Sequence, residues 1–444
     1  MNIIRPWLVF FIAVVAYGQA PHSINVFNEI VFYDGYAETV SEPTPEGVVR
    51  LSNDKYATKL KDDQLDALQK SLTIEVKIDA LCDNYDRIGG VFITLVPTGE
   101  DITYADKQTI EVGRFITPFM NKNISPTQVS YEFEVNHLMG LLKSEEIRNE
   151  YDIWFELHVF GVPYAAHTQV AGCAGRDDVF AGTLNLISTS EGYDFGEFFI
   201  MPLANKIDFN NYNATDVAGT STRIISFAID STINEAAFHL ITSNHGANAG
   251  GEEYVRRQHH VYFNGNEVLS YKPGGKSCEP FRQYNTQGNG IYGPNPQSAA
   301  WWASWNNWCP GDKIPNRIID LGTIEAGEHE FKITVPDAVF ANNEGNFPLS
   351  LFIYSPDVQG VVSMKDIHQV DYEIYPNPTF EQVTINSSQE IMEIALYDIN
   401  GKKVSEITNS NQINIAHLPA STYIAKIKFN NGIKVSENIV KINH

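Results

Sequence analysis

The sequence predicts an all-β protein, either a sandwich or a pair of jelly rolls. Apolar residues alternate with polar ones in many short segments, such as TIEVKID, YEFEV and DIWFELHVF. A period of two is typical of half-buried antiparallel strands. Helical patterns are scarce, with LDALQK and NHLMGLLKSEEI the only fair candidates. The 444 residues are enough for about three domains.

Composition and charge narrow the class of partner. The chain is 43% hydrophobic, which provides ample material for a core and rules out wholesale disorder. Its 31 basic and 54 acidic residues give a net charge of −23. Nucleic acids and anionic membranes need clustered cations, so both are disfavoured as partners. Neutral partners such as sugars or glycopeptides are favoured.

The N-terminus predicts export. Residues 1–20 carry Arg5, then an apolar run, then Gly18 and Ala20 at the −3 and −1 positions of a cleavage site. This is the pattern of a signal peptide, and no later run is long enough to span a bilayer. In an exported chain, four cysteines without a CxxC motif are expected to form disulfides rather than a zinc site, and three pairings are possible.

A change of composition near residues 364–370 marks a further boundary. The chain there passes into YEIYPNP and then into short strands and turns. We therefore predict a signal peptide at 1–20, a first β domain at 21–190, a second at 191–365 and a small β unit at 366–444. Because a proline cannot continue a ladder, the YPNP turn suggests that this last unit starts independently.

Two acidic residues stand out in the first domain. Asp86 lies in a polar turn next to Arg87, which could hold the carboxylate ionised; a plain surface turn is the alternative. Glu156 shares one face of a predicted strand with Trp154 and His158, as expected for a ligand cleft or for a partly exposed face.

A third acid and a tryptophan cluster stand out in the second domain. Glu253 follows a glycine-rich loop and, counting by twos, shares a strand face with Arg257 and His259 unless a bulge intervenes. The segment WWASWNNW holds four tryptophans, some of which must be core. The rest are expected on a loop, as a surface on which sugar rings stack.

The sequence resembles the peptide:N-glycosidase F family. The resemblance rests on CDNYDR, on GRFITP, on Glu253-Tyr254 with Arg257 and His259, and on WCPG followed by IP and Arg317. It implies two side-by-side eight-stranded antiparallel jelly rolls and an amidase that needs no metal or cofactor. The enzyme would hydrolyse the bond between Asn and the innermost N-acetylglucosamine of an N-glycan, leaving Asp.

The resemblance also implies site residues. Asp86 is expected to activate the attacking species, Glu253 to position water or share protons, and Glu156 to orient the sugar and support Asp86. Packing the acids together should raise at least one pKa. The expected substrate-binding residues are Asp83, Tyr85, Arg87, His158, Arg257, Trp305 and Trp308.

The cysteines and the family's glycan contacts bear on the same resemblance. It implies a Cys278–Cys309 disulfide, after which Cys82–Cys173 follows by elimination. The chain departs from the family where Tyr85 and His158 replace tryptophans and Trp305 replaces an arginine. Glycan contacts are therefore expected to differ from those of the family.

The last unit is similar to the type A sorting domain of the Bacteroidetes type IX secretion system. The matching pieces are YPNP, LYDINGK and LPA followed by Tyr423 and Ile424. They imply export through the periplasm to the cell surface or medium, with the type IX machinery as a partner. We expect a monomer that acts on N-glycoproteins or glycopeptides.

Three rival functions remain open. An endo-acting glycoside hydrolase could use two of the same acids, and a non-catalytic glycan-binding protein would fit the altered contacts. A copper monooxygenase would need clustered histidines and a methionine ligand, whereas His259-His260 is a lone pair.

Overall fold

The structure is a computed structural model. It describes residues 21–192, 198–209, 221–247, 251–288, 291–340, 344–358, 370–387, 389–398, 401–430 and 434–442. The predicted signal peptide, 1–20, lies outside the described residues. Within the described ranges, no helix is long and apolar enough to cross a membrane.

The first jelly roll packs two antiparallel sheets around one core. The four-stranded sheet contains, in spatial order, β1 (His22–Tyr33), β9 (Asp178–Ser188), β4 (Thr73–Ala80) and β7 (Gln128–Glu134). The six-stranded sheet contains β15 (Lys313–Ile314), β6 (Gln108–Ile116), β5 (Ile88–Pro97), β8 (Tyr151–Val159), β3 (Lys55–Lys59) and β2 (Val48–Ser52). Alternation along β8 buries Ile153, Phe155 and Leu157 in the core and turns Glu156 to the opposite face.

The second jelly roll has the same antiparallel design. One sheet contains β10 (Phe199–Asp208), β18 (Pro348–Ser355), β12 (Ile233–Thr242) and β16 (Arg317–Ile324), and β19 (Asp357–Val358) also pairs with β12. The other contains β14 (Asn266–Tyr271), β13 (His259–Phe263), β17 (Gly327–Thr334), β11 (Thr222–Ile229), β20 (Val370–Tyr375), β21 (Gln382–Ser387) and β24 (Gln412–Asn414). The predicted all-β architecture with two jelly rolls is confirmed.

Helices are short. Over the described ranges they are α1 (Asp62–Ala67), α2 (Met139–Lys143), α3 (Glu145–Glu150), α4 (Ala166–Gln169) and α5 (Ala299–Trp305), with 3₁₀ turns at Asn136–Leu138 and Glu279–Tyr284. The segment NHLMGLLKSEEI does not form one helix, because Ser144 is extended and caps α3 by accepting a hydrogen bond from the Ile147 amide at 3.3 Å.

The two jelly rolls are joined by a strand and a buried ion pair. Strand β15 comes from the second domain yet pairs with β6 of the first. On β6, Arg114 donates to Glu111 at 2.6 and 2.8 Å, and the same guanidinium reaches the Ser243 hydroxyl at 2.7 Å and the Pro348 carbonyl at 2.8 Å. Both charged side chains are fully buried. These bonds fix how the domains face each other.

The last unit has its own core but does not start independently. A four-stranded sheet contains β23 (Lys403–Thr408), β22 (Ile391–Tyr397), β25 (Ser421–Phe429) and β26 (Lys434–Lys441). Strand β20 pairs with β21 of this unit on one edge and with β11 of the second jelly roll on the other. The expected independent start is therefore wrong: the YPNP turn follows β20 and leaves it able to extend the neighbouring sheet.

Candidate active site

The turn that carries Asp86 is locked by Asp83. The buried Asp83 carboxylate accepts hydrogen bonds from the Arg87 Nε at 2.6 Å, the Val162 amide at 2.7 Å and the Tyr85 amide at 2.9 Å. The Cys82–Cys173 disulfide ties down the start of the turn. Asp83 thus has the environment of a structural residue, whereas sequence reasoning placed it at the substrate.

Arg87 pairs with Asp83 rather than with its neighbour Asp86. Its guanidinium also lies 5.3 Å from the centre of the Tyr85 ring. Tyr85 is 40% exposed, and the centre of its ring lies 5.6 Å from that of Phe119. The Arg87 charge still favours the ionised form of Asp86, as expected, but the guanidinium makes its described hydrogen bonds to Asp83. Tyr85 remains available to a ligand.

Glu253 is positioned by a loop, not by a strand. Strand β13 begins only at His259, so the predicted shared face from Glu253 to His259 does not exist. The Gly246 amide donates to the Glu253 carboxylate at 3.0 Å, and Asn307 donates to the Glu253 carbonyl at 2.6 Å. Gly246 has φ +113°, and a Cβ there would lie 2.4 Å from Gly345. A glycine is therefore needed to bring this amide to the acid.

The two acids interact electrostatically across the domain boundary. Protein surrounds most of the Asp86 side chain, but the residue is partly exposed to solvent, as expected for an acid that lines a cleft. Burial, and then the nearby Glu253 charge, raise the pKa of Asp86 to about 7, although Arg87 opposes the shift. Burial also raises the pKa of Glu253, against hydrogen bonds from Gly246 and the Tyr254 hydroxyl. The expected rise in pKa is thus present at both acids, and that of Asp86 reaches about 7.

Glu156 and His158 form a separate pair on β8. Glu156 accepts from the Thr94 hydroxyl at 2.5 Å and lies 2.7 Å from the His158 Nε2. Burial opposes ionisation, but these hydrogen bonds hold the pKa of Glu156 below its usual range, and burial lowers the pKa of His158. Glu156 is opposite Phe92 in the ladder, and Phe92 follows Asp86 by six residues, which is at most roughly 20 Å of chain. Among the described residues, Glu156 forms its side-chain hydrogen bonds with Thr94 and His158 and none with Asp86.

Arg257 is engaged away from the carboxylate pair. It forms an ion pair with Glu252, the neighbour of Glu253, at 2.7 Å. Glu252 in turn accepts from the Val339 amide at 2.7 Å. These bonds point to a role in holding the loop rather than in binding substrate.

The tryptophans divide between core and surface. Trp308 is only 6% exposed, packs with Ile116 and Ile241 and donates to the Asn244 carbonyl at 2.8 Å, so little of its ring is left for a ligand. The other three lie on α5, where a loop was expected. Trp302 is buried there, and Trp305 stacks 5.9 Å from Trp301.

Tyr254, Trp301 and Trp305 form an aromatic surface. Sequence reasoning did not assign Tyr254 to it and named Trp301 only within the tryptophan cluster. The Tyr254 ring packs 5.3 Å from Trp305 and, like Trp301, is 37% exposed. The Tyr254 hydroxyl is hydrogen-bonded to the Glu253 carboxylate. Burial is the largest cause that raises the pKa of Tyr254, and the charges of Glu253 and Asp86 add to the rise. Position next to an assigned acid was the available signal for Tyr254.

Both expected disulfides are present, and metal ligands are not clustered in the described part. The Cys278–Cys309 bridge has a Cα–Cα distance of 5.4 Å, and all four cysteines are paired. Among the residues with described positions, no three of His, Cys, Asp or Glu are grouped so as to hold a metal ion.

Comparison with protein-family models gives three matches. The N-terminal model of peptide-N-glycosidase F matches residues 23–174, and its C-terminal model matches residues 211–354. A model described as a secretion system C-terminal sorting domain matches residues 373–442. No curated protein sequence matches the chain.

Solved structures with a similar fold include PNGF-II in two crystal forms. They are 17% and 16% identical over 76% and 78% of this chain, with TM-scores of 0.56 and 0.55. The chain spans 65% and 66% of their length. PNGase F, a glycosylasparaginase from Flavobacterium meningosepticum, is 14% identical over 79% of this chain and 99% of its own, with a TM-score of 0.49.

Proposed function

We propose that this chain, which belongs to the peptide-N-glycosidase F family and carries a C-terminal sorting domain, is an exported amidase that acts on N-glycoproteins. It would hydrolyse the amide between Asn and the innermost N-acetylglucosamine, release the glycan as a glycosylamine and leave Asp in the peptide. The sorting domain marks the protein for export to the cell surface or medium, and we assign its recognition to a type IX secretion system.

The observation that carries the proposal is the coupled pair of Asp86 and Glu253. Amide hydrolysis needs a base that takes a proton from water and an acid that returns one to the leaving nitrogen. A carboxyl with a pKa of about 7 exchanges protons readily at neutral pH, and the Glu253 charge helps to hold Asp86 there. Asp86 is therefore assigned the proton transfers, with Glu253 as the group that tunes Asp86 and positions water.

The proton that Asp86 takes from water has to reach the nitrogen of the amide. When the tetrahedral intermediate collapses, the C–N bond breaks, and the proton taken up by Asp86 goes to that nitrogen. Asp86 comes from the first domain and Glu253 from the second, so the Arg114 hydrogen bonds to Ser243 and Pro348, which join the domains, would also hold the two acids in register. Catalysis would depend on that alignment.

Exposed aromatic rings next to the acids suit a glycan. Tyr85 lies one residue before Asp86. Tyr254 follows Glu253 and packs against Trp305 of α5, which stacks in turn on Trp301. Flat rings of this kind stack on the apolar faces of sugars. We assign Tyr254, Trp301 and Trp305 to the sugar-facing surface, while Glu156 and His158 would contact the substrate farther along β5 and β8.

Product analysis tests the proposal against its rivals. A denatured N-glycoprotein is digested with the purified chain, and the formerly glycosylated peptide is examined by mass spectrometry. An amidase converts the Asn to Asp. An endo-acting glycosidase leaves one sugar on Asn, and a glycan-binding protein leaves the glycopeptide intact. Either of the latter results overturns the proposal.

A further inference from the structure

A basic cavity lies in the second jelly roll, outside the pair of acids. Its volume is about 170 Å³, and four cations line it: Lys272, Lys276, Lys313 and Arg317. On the same measure, a water molecule needs roughly 10–15 Å³, so there is room for a ligand the size of a sugar residue. Asp312 is the single acid among its described lining residues. This is a local reversal of charge in a chain whose net charge is −23.

The arginine in this cavity is held in place by stacking. The Arg317 guanidinium carbon lies 3.9 Å from the centre of the Tyr271 ring. Tyr271 stacks in turn on His259 at 4.8 Å, and its hydroxyl lies 2.6 Å from that of Thr242. Burial lowers the pKa of His259 to about 3, so this supporting ring is neutral. The guanidinium is therefore oriented before any ligand arrives.

Three of the four cations form no ion pair with a described side chain. Lys276 pairs with Asp312, and the Lys313 ammonium donates to the Glu132 carbonyl at 2.5 Å. Arg317 makes one described hydrogen bond, to the Pro315 carbonyl at 3.3 Å, which leaves most of its five N–H donors for a ligand. Lys272 has an exposed side chain with no ion pair among the described residues. Positive charge thus remains on the cavity wall.

The cavity shares residues with the support of the active-site loop. Asn307 and Trp308 line it, while the Asn307 amide holds the Glu253 carbonyl at 2.6 Å and the Trp308 indole holds Asn244. A ligand in the cavity would therefore lie one layer of side chains away from the loop that carries Glu253.

We propose that this cavity binds the oxyanion of an acidic sugar residue, a carboxylate or a sulfate ester. The planar fork of Arg317 matches two oxygens of such a group, and Lys272 adds a second charge. That the acidic sugar belongs to the glycan being released rests on the proposed function. The binding itself does not depend on it.

Calorimetric titration of the full chain tests the binding. The probes are N-acetylneuraminic acid for the carboxylate, N-acetylglucosamine 6-sulfate for the sulfate and N-acetylglucosamine as the neutral sugar. We expect an acidic probe to bind at least tenfold more tightly than the neutral sugar, and the better acidic probe identifies the oxyanion. Arg317→Gln and Lys272→Gln should each weaken that binding, the first by tenfold or more. Lys332→Gln, on β17 and outside the cavity lining, is the control and should leave it unchanged.

The outcomes separate this proposal from the amidase assignment. Equal binding of neutral and acidic sugars, or full binding by the folded Lys272→Gln and Arg317→Gln variants, overturns the cavity assignment. Acidic sugar binding without any conversion of Asn to Asp would overturn the amidase and leave the cavity assignment standing. If both hold, Arg317→Gln should also reduce the preference in kcat/KM for sialylated over desialylated glycopeptide.

Discussion

At the scale of single residues, Asp83 and Asp86 show how one turn gives two acids different tasks. Asp83 is buried and accepts three close hydrogen bonds, so its charge serves the turn. For Asp86, no side-chain hydrogen bond to another described residue offsets the loss of solvent, and the Glu253 charge adds to the shift of its pKa to about 7. Arg87 offsets this shift only in part, and an acid whose charge is incompletely compensated is suited to proton transfer.

Asp86→Asn should abolish turnover and leave the fold intact. We expect a loss of at least about two orders of magnitude in kcat/KM, since the amide cannot exchange the proton. Because the pKa of Asp86 is raised on folding, its ionised form lowers stability as pH rises through about 7. The melting temperature of the variant at pH 8 should therefore equal or exceed that of the wild type. Exposed Asp106→Asn is the control, and more than a tenth of wild-type activity in Asp86→Asn contradicts the assignment.

Glu253→Gln should move the pH profile as well as lower the rate. The Glu253 charge is the second cause of the raised pKa of Asp86. Without that charge, the limb of kcat/KM that reports Asp86 should shift from about pH 7 to lower pH. The measurement is the pH dependence of residual activity on a glycopeptide. Glu328→Gln, exposed on β17, should leave the limb in place, and an unshifted limb in Glu253→Gln would show that the two acids are not coupled.

At the scale of elements, the Cys278–Cys309 disulfide and the Glu279 carboxylate hold α5 in place. Glu279 accepts from the Trp302 indole at 2.9 Å and pairs with Arg282, and the Arg282 hydrogen bond is the largest cause lowering its pKa to about 2. The Cys278–Cys309 bridge closes the segment that contains α5. The aromatic surface is thus presented by a short helix that could not persist alone.

Replacing Cys278 and Cys309 by Ser should lower the free energy of unfolding by about 3–4 kcal/mol. The bridge spans 31 residues, and loop-closure entropy gives a figure of about this size for such a loop. Chemical denaturation of the double variant measures it, and non-reducing peptide mapping of the wild type checks the pairing. A free thiol at either position in the wild type would contradict the structure.

At the scale of the whole molecule, three cores are joined by shared sheets. Strand β15 carries the second domain into a sheet of the first, and β20 carries the tail into a sheet of the second. Tyr372 on β20 is buried in the core of the tail, and Glu373 pairs with Arg223 of β11 at 3.0 Å. The tail is therefore attached to the catalytic unit by main-chain hydrogen bonds and an ion pair.

Removal of the tail should lower stability without removing activity. A chain of residues 21–365 lacks β20 and leaves the edge of β11 open, so we expect a melting temperature several degrees lower and some self-association through that edge. Turnover should persist, because Asp86 and Glu253 lie on other elements. A chain that ends at Tyr375 retains β20 and should recover part of the loss. If the truncated chain melts at the same temperature as the full chain and stays strictly monomeric, the result contradicts the pairing of β20 with β11.

A histidine pair at the domain boundary should make the protein sensitive to acid. His137 Nε2 and His239 Nδ1 lie 3.0 Å apart, and burial lowers the pKa of His137 to about 4 and that of His239 well below its usual range. Folding that holds a histidine neutral is penalised when the unfolded chain can take up the proton. The contribution of the two neutral histidines to the free energy of unfolding is thus complete above about pH 6.5 and is lost as pH falls toward 4.

The test compares unfolding free energies across that range of pH. His137→Gln with His239→Asn should flatten the decline between pH 6.5 and 4, even if the starting stability is lower. His417→Gln, exposed in the tail, is the control and should leave the slope unchanged. A double variant with the wild-type slope would show that other groups govern the acid response.

The sequence by itself determined the strands, the candidate acids and the tail. Alternation along segments such as β8 depends only on near neighbours in the chain, so the buried face that includes Phe155 and the opposite position of Glu156 could be predicted. The same holds for motifs, because Asp86 and the YPNP segment are recognised by the residues beside them.

Tertiary structure decided which groups meet. The partner of Arg87, the loop that carries Glu253 and the pairing of β20 with β11 all depend on contacts that chain neighbours do not specify. The pKa of Asp86 has the same origin, since Glu253 lies 167 positions later in the sequence. Local pattern determines which face of a strand is buried, whereas burial of a charge and the choice of its partner follow only from how distant segments pack.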